Sequence, residues 1–274
     1  MPSLLAAGAE VGLLSAATLS RDASELGREL VDFDSVVHLG YRRPETAGYW
    51  SQLGAEVRHN LAGTARLLEA AAAAHIEQIC FASSVAVYTP PAHGVAEHGP
   101  VGGGVTPYAL VKLQQEDYMR RWAVLTKRPV TVMRLATVYG PGETVSRAVP
   151  NFIRTLMAGR APRVDGRGCK PFDLVYVDDV ADAFKSALEL RADGVFNIGT
   201  GVGRTATEIA ANLIRLVGVD YDVEENLEAD ERGGVVCDVS LADRALGFRA
   251  AMPLQDGLRA EVEWYRSLPV AMRA

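Results

Sequence analysis

Short runs of apolar residues alternate along this chain with longer stretches of helical periodicity. The apolar runs predict buried strands at 34–39, 77–83, 130–135, 174–177 and 195–198. The stretches between and after them predict helices at 57–75, 107–125, 152–159, 178–190, 205–217 and 254–265. Because strands and helices alternate, the pattern predicts an α/β fold with a parallel sheet and crossover helices.

A tyrosine and a lysine stand four residues apart in the segment Thr106-Pro107-Tyr108-Ala109-Leu110-Val111-Lys112. If a helix begins near Pro107, both side chains project from one face, one turn apart. An ammonium beside a phenol favours the phenolate. A free tyrosine titrates near pH ~10, so a base near neutral pH needs roughly 4 kcal/mol of preferential phenolate stabilisation. The spacing also occurs by chance in many helices, so its meaning depends on its surroundings.

Hydroxyl side chains follow two of the predicted strands. Ser83 and Ser84 end one strand, and Thr137 follows another. In open parallel sheets, ligands bind at the carboxyl ends of the strands. These residues, with Tyr108 and Lys112, are therefore candidates for one site. His38 also ends a predicted strand, but we expect it to be an interior histidine.

Composition narrows the possible partners. The 274 residues carry a net charge of −6 with no basic block, which argues against nucleic acid as a partner. The first twenty residues lack the basic start of a signal peptide, and no apolar run is long enough to span a bilayer, so we expect no membrane partner and a cytoplasmic location. The three cysteines fit no metal or disulfide spacing, and we predict no metal site; they are Cys80, Cys169 and Cys237.

A series of ordered motifs between about residues 33 and 265 resembles the extended short-chain dehydrogenase/reductase family, in its NAD-dependent nucleotide-sugar epimerase/dehydratase group. The motifs are Asp34-Ser-Val-Val-His-Leu39, Asn60-Leu-Ala-Gly63-Thr64, Phe81-Ala-Ser-Ser-Val-Ala-Val-Tyr88, Tyr108-x-x-x-Lys112, Arg134-Leu-Ala-Thr-Val-Tyr-Gly-Pro-Gly142, Val175-Tyr-Val-Asp-Asp179 and Phe196-Asn-Ile-Gly-Thr-Gly201. Such a number of motifs in one order makes the resemblance specific.

The resemblance implies a Rossmann-like parallel sheet with a small C-terminal substrate lobe. The dinucleotide-binding core would comprise residues 1–142 and 172–195, and the lobe residues 143–171 and 196–274. Family members commonly pair the helices at 57–75 and 107–125 into a four-helix bundle, so the resemblance also implies a homodimer. Candidate contacts on these helices are Leu67, Ala71, Leu113 and Trp122.

The resemblance further implies residue roles. Ser84 would hydrogen-bond the reacting sugar oxygen, Tyr108 would act as the general base or acid, and Lys112 would lower the pKa of Tyr108 and hold the nicotinamide ribose. The cofactor would be NAD or NADP. The implied cofactor-binding residues are Leu39, Gly40, Asn60, Ser83, Tyr108 and Lys112, and the implied substrate-binding residues are Ser84, Thr137 and Arg232.

The start of the chain departs from the family pattern. The family begins with a strand and a glycine-rich turn that holds the cofactor pyrophosphate at a helix N-terminus. Residues 4–14 instead resemble the end of that first helix followed by the second strand, so we expect the first βα unit with its glycine-rich turn to be missing. Gly199-Thr-Gly-Val-Gly203 has the wrong glycine spacing to replace it. Two hypotheses follow: an enzyme, or a cofactor-free pseudoenzyme or partner subunit that kept the pocket.

The substrate side departs as well. Val85 and Ala86 follow Ser84 where dehydratases of the family carry an Asp-Glu pair, and neither can move a proton. The remaining chemistry is epimerisation, or carbonyl reduction and alcohol oxidation, on a sugar or sugar-like substrate. Phe172 stands in place of a phosphate-clamping arginine, whereas Arg232 keeps a second clamp position. Thr137 replaces an asparagine that is often found there.

Overall fold

The computed structural model describes residues 5, 8–15, 18–43, 48–89, 92–102, 106–143, 145–229 and 234–269. We number its elements in chain order. The α-helices are α1 (Ala23–Leu30), α2 (Tyr49–Glu56), α3 (Ala62–Ala73), α4 (Pro107–Thr126), α5 (Ala148–Met157), α6 (Val177–Glu189), α7 (Ala206–Val217), α8 (Ser240–Leu246) and α9 (Leu254–Ser267). The strands are β1 (Ser35–His38), β2 (Gln78–Ser84), β3 (Ala92–Val95), β4 (Val130–Leu135), β5 (Thr137–Tyr139), β6 (Arg163–Asp165), β7 (Phe172–Tyr176), β8 (Gly194–Ile198), β9 (Gly203–Arg204), β10 (Glu224–Asn226) and β11 (Val235–Cys237).

The largest sheet in the described part of the chain has the strand order β1-β2-β4-β8, with every pair parallel. β2 is almost completely buried, since helices cover both faces of a parallel sheet. A smaller sheet joins β5, β7 and β9. The predicted α/β fold with a Rossmann-type parallel sheet is confirmed, and each of the five predicted strands of the sequence pattern has an observed counterpart.

The start of α4 is fixed by local chemistry. Thr106 Oγ1 accepts a hydrogen bond from Ala109 N at 3.2 Å, and Pro107 occupies the first helical position, where its missing N–H has no helical partner to lose. The helix ends at Lys127, whose φ of 57° is the left-handed conformation of a C-terminal cap. Tyr108 and Lys112 therefore lie in the first turns of the helix, as the sequence predicts.

The helix predicted at 57–75 begins earlier, at Tyr49, and contains a π-helical turn at Val57–Leu61 between α2 and α3. Such turns contain one extra residue and often mark functional sites. Here the carbonyl oxygen of Asn60 accepts side-chain bonds from Thr64 Oγ1 at 2.9 Å and Gln115 Nε2 at 3.3 Å. The π-helical turn therefore joins this helix to α4 through buried polar contacts.

The strand predicted near the end of residues 4–14 is not observed. Residues 9–15 form no strand, and no described strand lies beside the outer edge of β1. A strand exists only where a neighbouring strand completes its hydrogen bonds. Gly12 instead packs on the ring of Phe33, where a Cβ atom would lie 2.5 Å from the ring. The missing glycine-rich turn remains an expectation from the sequence.

Helices α5, α7 and α9 surround a separate apolar cluster that includes Phe152, Ile153, Leu213, Leu258 and Val262. These five residues lie within the ranges predicted for the lobe. The predicted boundary between residues 195 and 196 falls inside β8, however, and α8 packs against the main sheet through Ala242 and Leu246. A strand cannot be divided between two domains because its ladder is continuous, so residues 196–198 belong to the main sheet. The division into core and lobe otherwise remains a prediction.

Two buried carboxyl groups lie in this part of the structure. Glu261, on α9, is fully buried, and its carboxyl group interacts with the backbone N–H of Gly140 but with no positively charged side chain among the described residues. Burial, together with the charge of Glu143, raises the pKa of Glu261 to about 8. Burial also raises the pKa of Glu143 to about 7, against the charges of Arg147 and Arg154. At neutral pH we therefore expect Glu261 to be protonated.

We predict that Glu261→Gln removes part of the pH dependence of folding stability. A carboxyl group whose pKa is raised in the folded state binds its proton more tightly there than in the unfolded chain, so stability falls as the pH rises from about 4.5 to about 8. In thermal unfolding followed by circular dichroism, the variant should melt several degrees above the parent at pH 8.5, with a smaller difference at pH 5. Glu263→Gln, at an exposed position of the same helix, is the control. Parallel melting curves for parent and Glu261→Gln across this range would contradict the prediction.

The proposed dimer contacts need correction. Leu67, Ala71 and Trp122 are buried in the core of this chain, where they pack with β2 residues such as Phe81, so they cannot contact a second copy. The indole Nε1 of Trp122 also donates to Leu68 O at 3.0 Å. Leu113 is partly buried beneath Val87 and Tyr88. Exposed apolar side chains on these helices are Trp50, Val57, Leu110, Val124 and Leu125.

The homodimer remains a prediction, now with different contacts. Leu110 and Leu125 lie on the exposed side of α4, and 83% of Leu125 is exposed. We expect the parent to give a dimer mass in light scattering at micromolar concentrations, and the double variant Leu110→Glu/Leu125→Glu to give a monomer, because like charges would face each other across a two-fold axis. Leu227→Glu, at an exposed leucine outside these helices, should leave the mass unchanged. A monomeric parent would refute the dimer.

Candidate active site

Ser84, Tyr108 and Lys112 meet at the carboxyl end of β2. Ser84 is the last residue of this strand, and its Oγ accepts a hydrogen bond from Ala86 N at 3.2 Å, which caps the short 3-10 turn Val85–Val87. Tyr108, at the start of α4, hydrogen-bonds the Ser84 side chain. The first turns of α4 thus bring Tyr108 and Lys112 to the strand end that carries Ser84, although Ser84 lies more than 20 positions earlier in the sequence.

The electrostatics of Tyr108 favour the phenol in the protein alone. Burial raises the pKa of Tyr108, and the hydrogen bond with Ser84 and the charge of Arg147 oppose this increase only in part. A buried phenolate needs compensating positive charge. Arg147 supplies one such charge, and it was not among the residues that the sequence indicated.

Lys112 provides a second positive charge. Its side chain is 4% exposed, and its Nζ donates to Ala82 O at 2.7 Å and lies 4.7 Å from the centroid of the Phe81 ring. Burial lowers the pKa of Lys112 to about 8, while the charges of Glu56 and Glu116 act in the opposite direction. Because an ammonium has three N–H donors, the group has further donors for a ligand after its bond to Ala82.

A buried network that the sequence did not indicate lies beside these residues. Tyr41 Oη donates to Glu56 Oε1, and Asn60 Nδ2 donates to Glu56 Oε2 at 2.6 Å. The Tyr41 ring packs edge-on against Tyr108, with centroids 5.1 Å apart and planes at 79°. The one available signal was the four-residue spacing of Glu56 and Asn60, which places the two side chains on one helix face.

Asn60 was predicted to face the cofactor. Besides its bond to Glu56, its Nδ2 donates to Arg42 O at 2.9 Å, and its Oδ1 accepts from Arg42 N at 2.7 Å. Both N–H donors of the amide are therefore used within the protein. In this structure Asn60 fixes the loop after β1 and also lines the cavity beside Gly40 and Arg42, and its role toward a cofactor remains a prediction.

Two other predicted residues are engaged inside the fold. The Ser83 hydroxyl donates to Glu116, which forms a bidentate ion pair with Arg134 at 2.7 and 3.0 Å, so Ser83 faces the protein interior. His38 Nε2 lies 2.9 Å from Thr64 Oγ1. Burial, with the charge of Lys112, lowers the pKa of His38 to about 3, so it is a neutral interior histidine as expected.

Two adjoining cavities lie beside β1: one of about 420 Å³ at its carboxyl end, and one of about 380 Å³ lined by residues along the whole strand, from Ser35 to His38. They share Leu19, His38 and Gly40, and we call them together the β1 groove. One part is lined by polar and charged residues, including Arg42, His59 and Arg66, and the other by apolar residues, including Phe33, Val36 and Leu39. The two predicted cofactor residues Leu39 and Gly40 therefore line this groove.

The size of the β1 groove and the cations near it suit a nucleotide. Each cavity has the size of an ordinary ligand site, and the Nζ atom of Lys112 lies 5.6 Å from the centroid of the Tyr41 ring, which lines the larger of the two. Gly40 has little room, because a Cβ atom there would lie 3.0 Å from Leu19 Cδ1. For a pyrophosphate, the described lining offers the cations Arg42 and Arg66 in place of a glycine-rich turn. These residues are the candidates for holding NAD.

A larger cavity of about 1160 Å³ lies next to α5. Thr137 lines it, as does Phe172 at the predicted clamp position. Four positively charged residues outnumber two acidic ones, Asp165 and Glu224, in the lining, and we call this the basic cavity; the four are Arg147, Arg160, Arg163 and Lys170. Arg147 also acts on Tyr108, so the basic cavity adjoins the Ser84–Tyr108–Lys112 site. Arg232, the other predicted clamp residue, lies outside the described residues.

Two alternative ligand sites find no support. The backbone N–H groups of Thr200 and Gly201, in the segment Gly199–Gly203, both donate to the buried carboxylate of Asp173 at 2.9 Å, so they are not available for a phosphate. Within the described ranges, no group of histidine, cysteine or acidic residues could hold a metal ion.

No helix in the same ranges is long and apolar enough to cross a membrane.

Comparison with known proteins identifies the family of this chain. The sequence model of the NAD dependent epimerase/dehydratase family matches residues 13–199. The chain belongs to this family. The match extends from the segment before α1 to the end of β8, and so includes Ser84, Tyr108 and Lys112.

Three relatives show the range of similar proteins. The chain is 33% identical over 216 residues to UDP-glucose 4-epimerase of Mycolicibacterium smegmatis, which covers 76% of this chain and 68% of that protein. It is 28% identical over 220 residues to human dTDP-D-glucose 4,6-dehydratase, and here it spans 61% of the relative's length and 76% of its own. The structure of MoeE5 in complex with UDP-glucose and NAD superimposes with a TM-score of 0.78 at 28% identity, over 90% of this chain and 84% of that one.

Proposed function

We propose that this protein is an NAD-dependent epimerase or oxidoreductase that acts on a hydroxyl or carbonyl group of a nucleotide sugar. The observation that carries the proposal is the meeting of Ser84, Tyr108 and Lys112 at one strand end, between the β1 groove and the basic cavity. NAD is favoured over NADP because it is the cofactor in the family's name and in the MoeE5 complex.

In this proposal Tyr108 removes the proton of the reacting sugar hydroxyl, and Ser84 hydrogen-bonds the same oxygen. Lys112 favours the phenolate electrostatically and binds the ribose next to the nicotinamide through its remaining N–H donors. Arg147 adds positive charge on the substrate side. NAD, when bound, supplies the acceptor and donor of a hydride. For reduction of a carbonyl group, Tyr108 returns the proton.

The residues after Ser84 favour this chemistry over elimination of water. Val85 and Ala86 have no group that transfers a proton, and Ala86 N is bound to Ser84 Oγ. The nearby Glu56 is bound by Tyr41 and Asn60. Although one relative is a dehydratase, we therefore propose 4-epimerisation, or carbonyl reduction and alcohol oxidation.

The substrate is proposed to bind in the basic cavity. A nucleoside diphosphate carries negative charge, and arginine is well suited to bind phosphate. Arg147, Arg160, Arg163 and Lys170 compensate for Phe172 at the clamp position. A UDP-sugar is the favoured class, since MoeE5 binds UDP-glucose. The cytoplasmic location remains a prediction.

We predict that Tyr108→Phe lowers turnover by about 10²- to 10⁴-fold, because only the ionisable oxygen is lost. Interconversion of UDP-glucose and its 4-epimer in the presence of NAD, followed by chromatography, measures the effect. Tyr118→Phe, ten residues further along α4, is the matched control. Turnover of Tyr108→Phe within a few-fold of the parent would remove this residue from the mechanism.

Cofactor binding is tested separately by calorimetry. We expect the parent to bind NAD, and Lys112→Met to weaken binding by about 10-fold or more, because a charge-assisted hydrogen bond contributes roughly 1.5–3 kcal/mol. Lys127→Met, at the exposed end of the same helix, should bind like the parent. If neither NAD nor NADP binds to the parent, the cofactor-free alternative replaces the enzyme.

A further inference from the structure

Lys112 is a buried cation whose surroundings contain several titratable groups. The groups that face it come from separate elements: Tyr108 and Glu116 from α4, Glu56 from the end of α2, His38 from β1 and Tyr41 from the loop after β1. A buried charge is expensive unless an opposite charge or strong hydrogen bonds compensate for it. The question is which of these groups does so.

Most of these groups are neutral or already paired. Glu116 forms the bidentate ion pair with Arg134 and accepts the Ser83 hydroxyl. His38 is neutral. Burial raises the pKa of Tyr41 and of Tyr108, so both are phenols in the unliganded protein. Glu56 is the remaining acid that faces Lys112 among the described residues.

Glu56 is a buried acid whose negative charge would be stabilised by a nearby positive charge. It is 2% exposed, and the hydrogen bonds that it accepts come from the neutral donors Tyr41 and Asn60. Lys112 likewise donates to a neutral carbonyl, that of Ala82. The two form no direct salt bridge, so their attraction acts across the space beside the Tyr41 ring, which lies 5.6 Å from Lys112 Nζ. In a buried site such a separated pair still interacts strongly.

We propose that Glu56 is a positioning residue of the active site, whose buried carboxylate keeps Lys112 in its ammonium form and holds Tyr41 edge-on against Tyr108. The catalytic role of Glu56 rests on the proposed function, in which the Lys112 ammonium favours the phenolate of Tyr108. Charge compensation itself is a property of the unliganded protein. It can therefore be measured without a substrate.

The test is the pKa of Lys112, measured by NMR of lysine side chains in the full chain. Only four lysines are present, so assignment by single substitutions is simple. We compare Glu56→Gln, which keeps the shape and removes the charge, with Glu56→Asp, which keeps the charge and shortens the side chain. Glu69→Gln, at an exposed position of α3, is the control.

We expect Lys112 to titrate near pH 8 in the parent, in Glu56→Asp and in the control, and about one unit lower in Glu56→Gln. This shift is a tenfold loss in the ratio of ammonium to amine at a given pH. A merely structural role predicts the reverse order, because Asp disturbs the packing more than Gln does. An unchanged Lys112 pKa in Glu56→Gln would overturn the proposal.

Two further measurements test the proposal: one is used if Glu56→Gln does not fold, and the other follows catalysis. If Glu56→Gln does not fold alone, Glu56→Gln/Lys112→Met should be more stable to urea than either single variant, and additive losses of stability would refute the pairing. With UDP-glucose and NAD, Glu56→Gln should also shift the alkaline limb of the pH profile of kcat to lower pH. If the parent gives no turnover, the proposed function fails, while the Lys112 titration still decides the role of Glu56.

Discussion

The buried ion pair between Glu116 and Arg134 fixes the position of α4, and the active site depends on that position. Arg134 lies on β4, and it also donates to Tyr88 Oη at 3.0 Å and Glu97 O at 2.8 Å. Glu116 accepts the hydroxyl of Ser83 on β2. Because removal of one partner from such a pair leaves an uncompensated buried charge, it typically destabilises a protein by about 3–5 kcal/mol. The pair thereby holds the helix so that its first turns face the end of β2.

Opposite charges lie close together in the buried polar groups at this edge. Glu116 forms an ion pair with Arg134, and the charges of Glu56 and Glu116 both favour the ammonium form of Lys112. His38 is kept neutral by burial and by the nearby ammonium. This arrangement places positive charge where a phenolate would form at Tyr108.

Two ligand compartments meet at this edge. The β1 groove lies on the side of Leu39 and Gly40, and the basic cavity lies on the side of Thr137 and Arg147. Arg147 directly precedes α5, so the segment after β5 sets its position relative to Tyr108. Hydride transfer requires the reacting carbon of a substrate to lie about 3–3.5 Å from its partner atom on the cofactor. Each cavity has one residue that acts on Tyr108: the ring of Tyr41, from the β1 groove, packs against it, and the charge of Arg147, from the basic cavity, lowers its pKa.

The sequence by itself determined the four strands of the main sheet, most of the long helices and the placement of Tyr108 and Lys112 one turn apart, because these depend on local periodicity, a proline at a helix start and a four-residue spacing. It also placed Ser84 at a strand end. Only the tertiary structure decided that Glu56 and Tyr41 join this site, since they come from two separate segments that a loop brings together. It likewise decided that Leu67 and Trp122 belong to the core, because an apolar helix position does not reveal what covers it. Residues 9–15 formed no strand for a similar reason: a strand requires a neighbouring strand, and local sequence does not specify that neighbour.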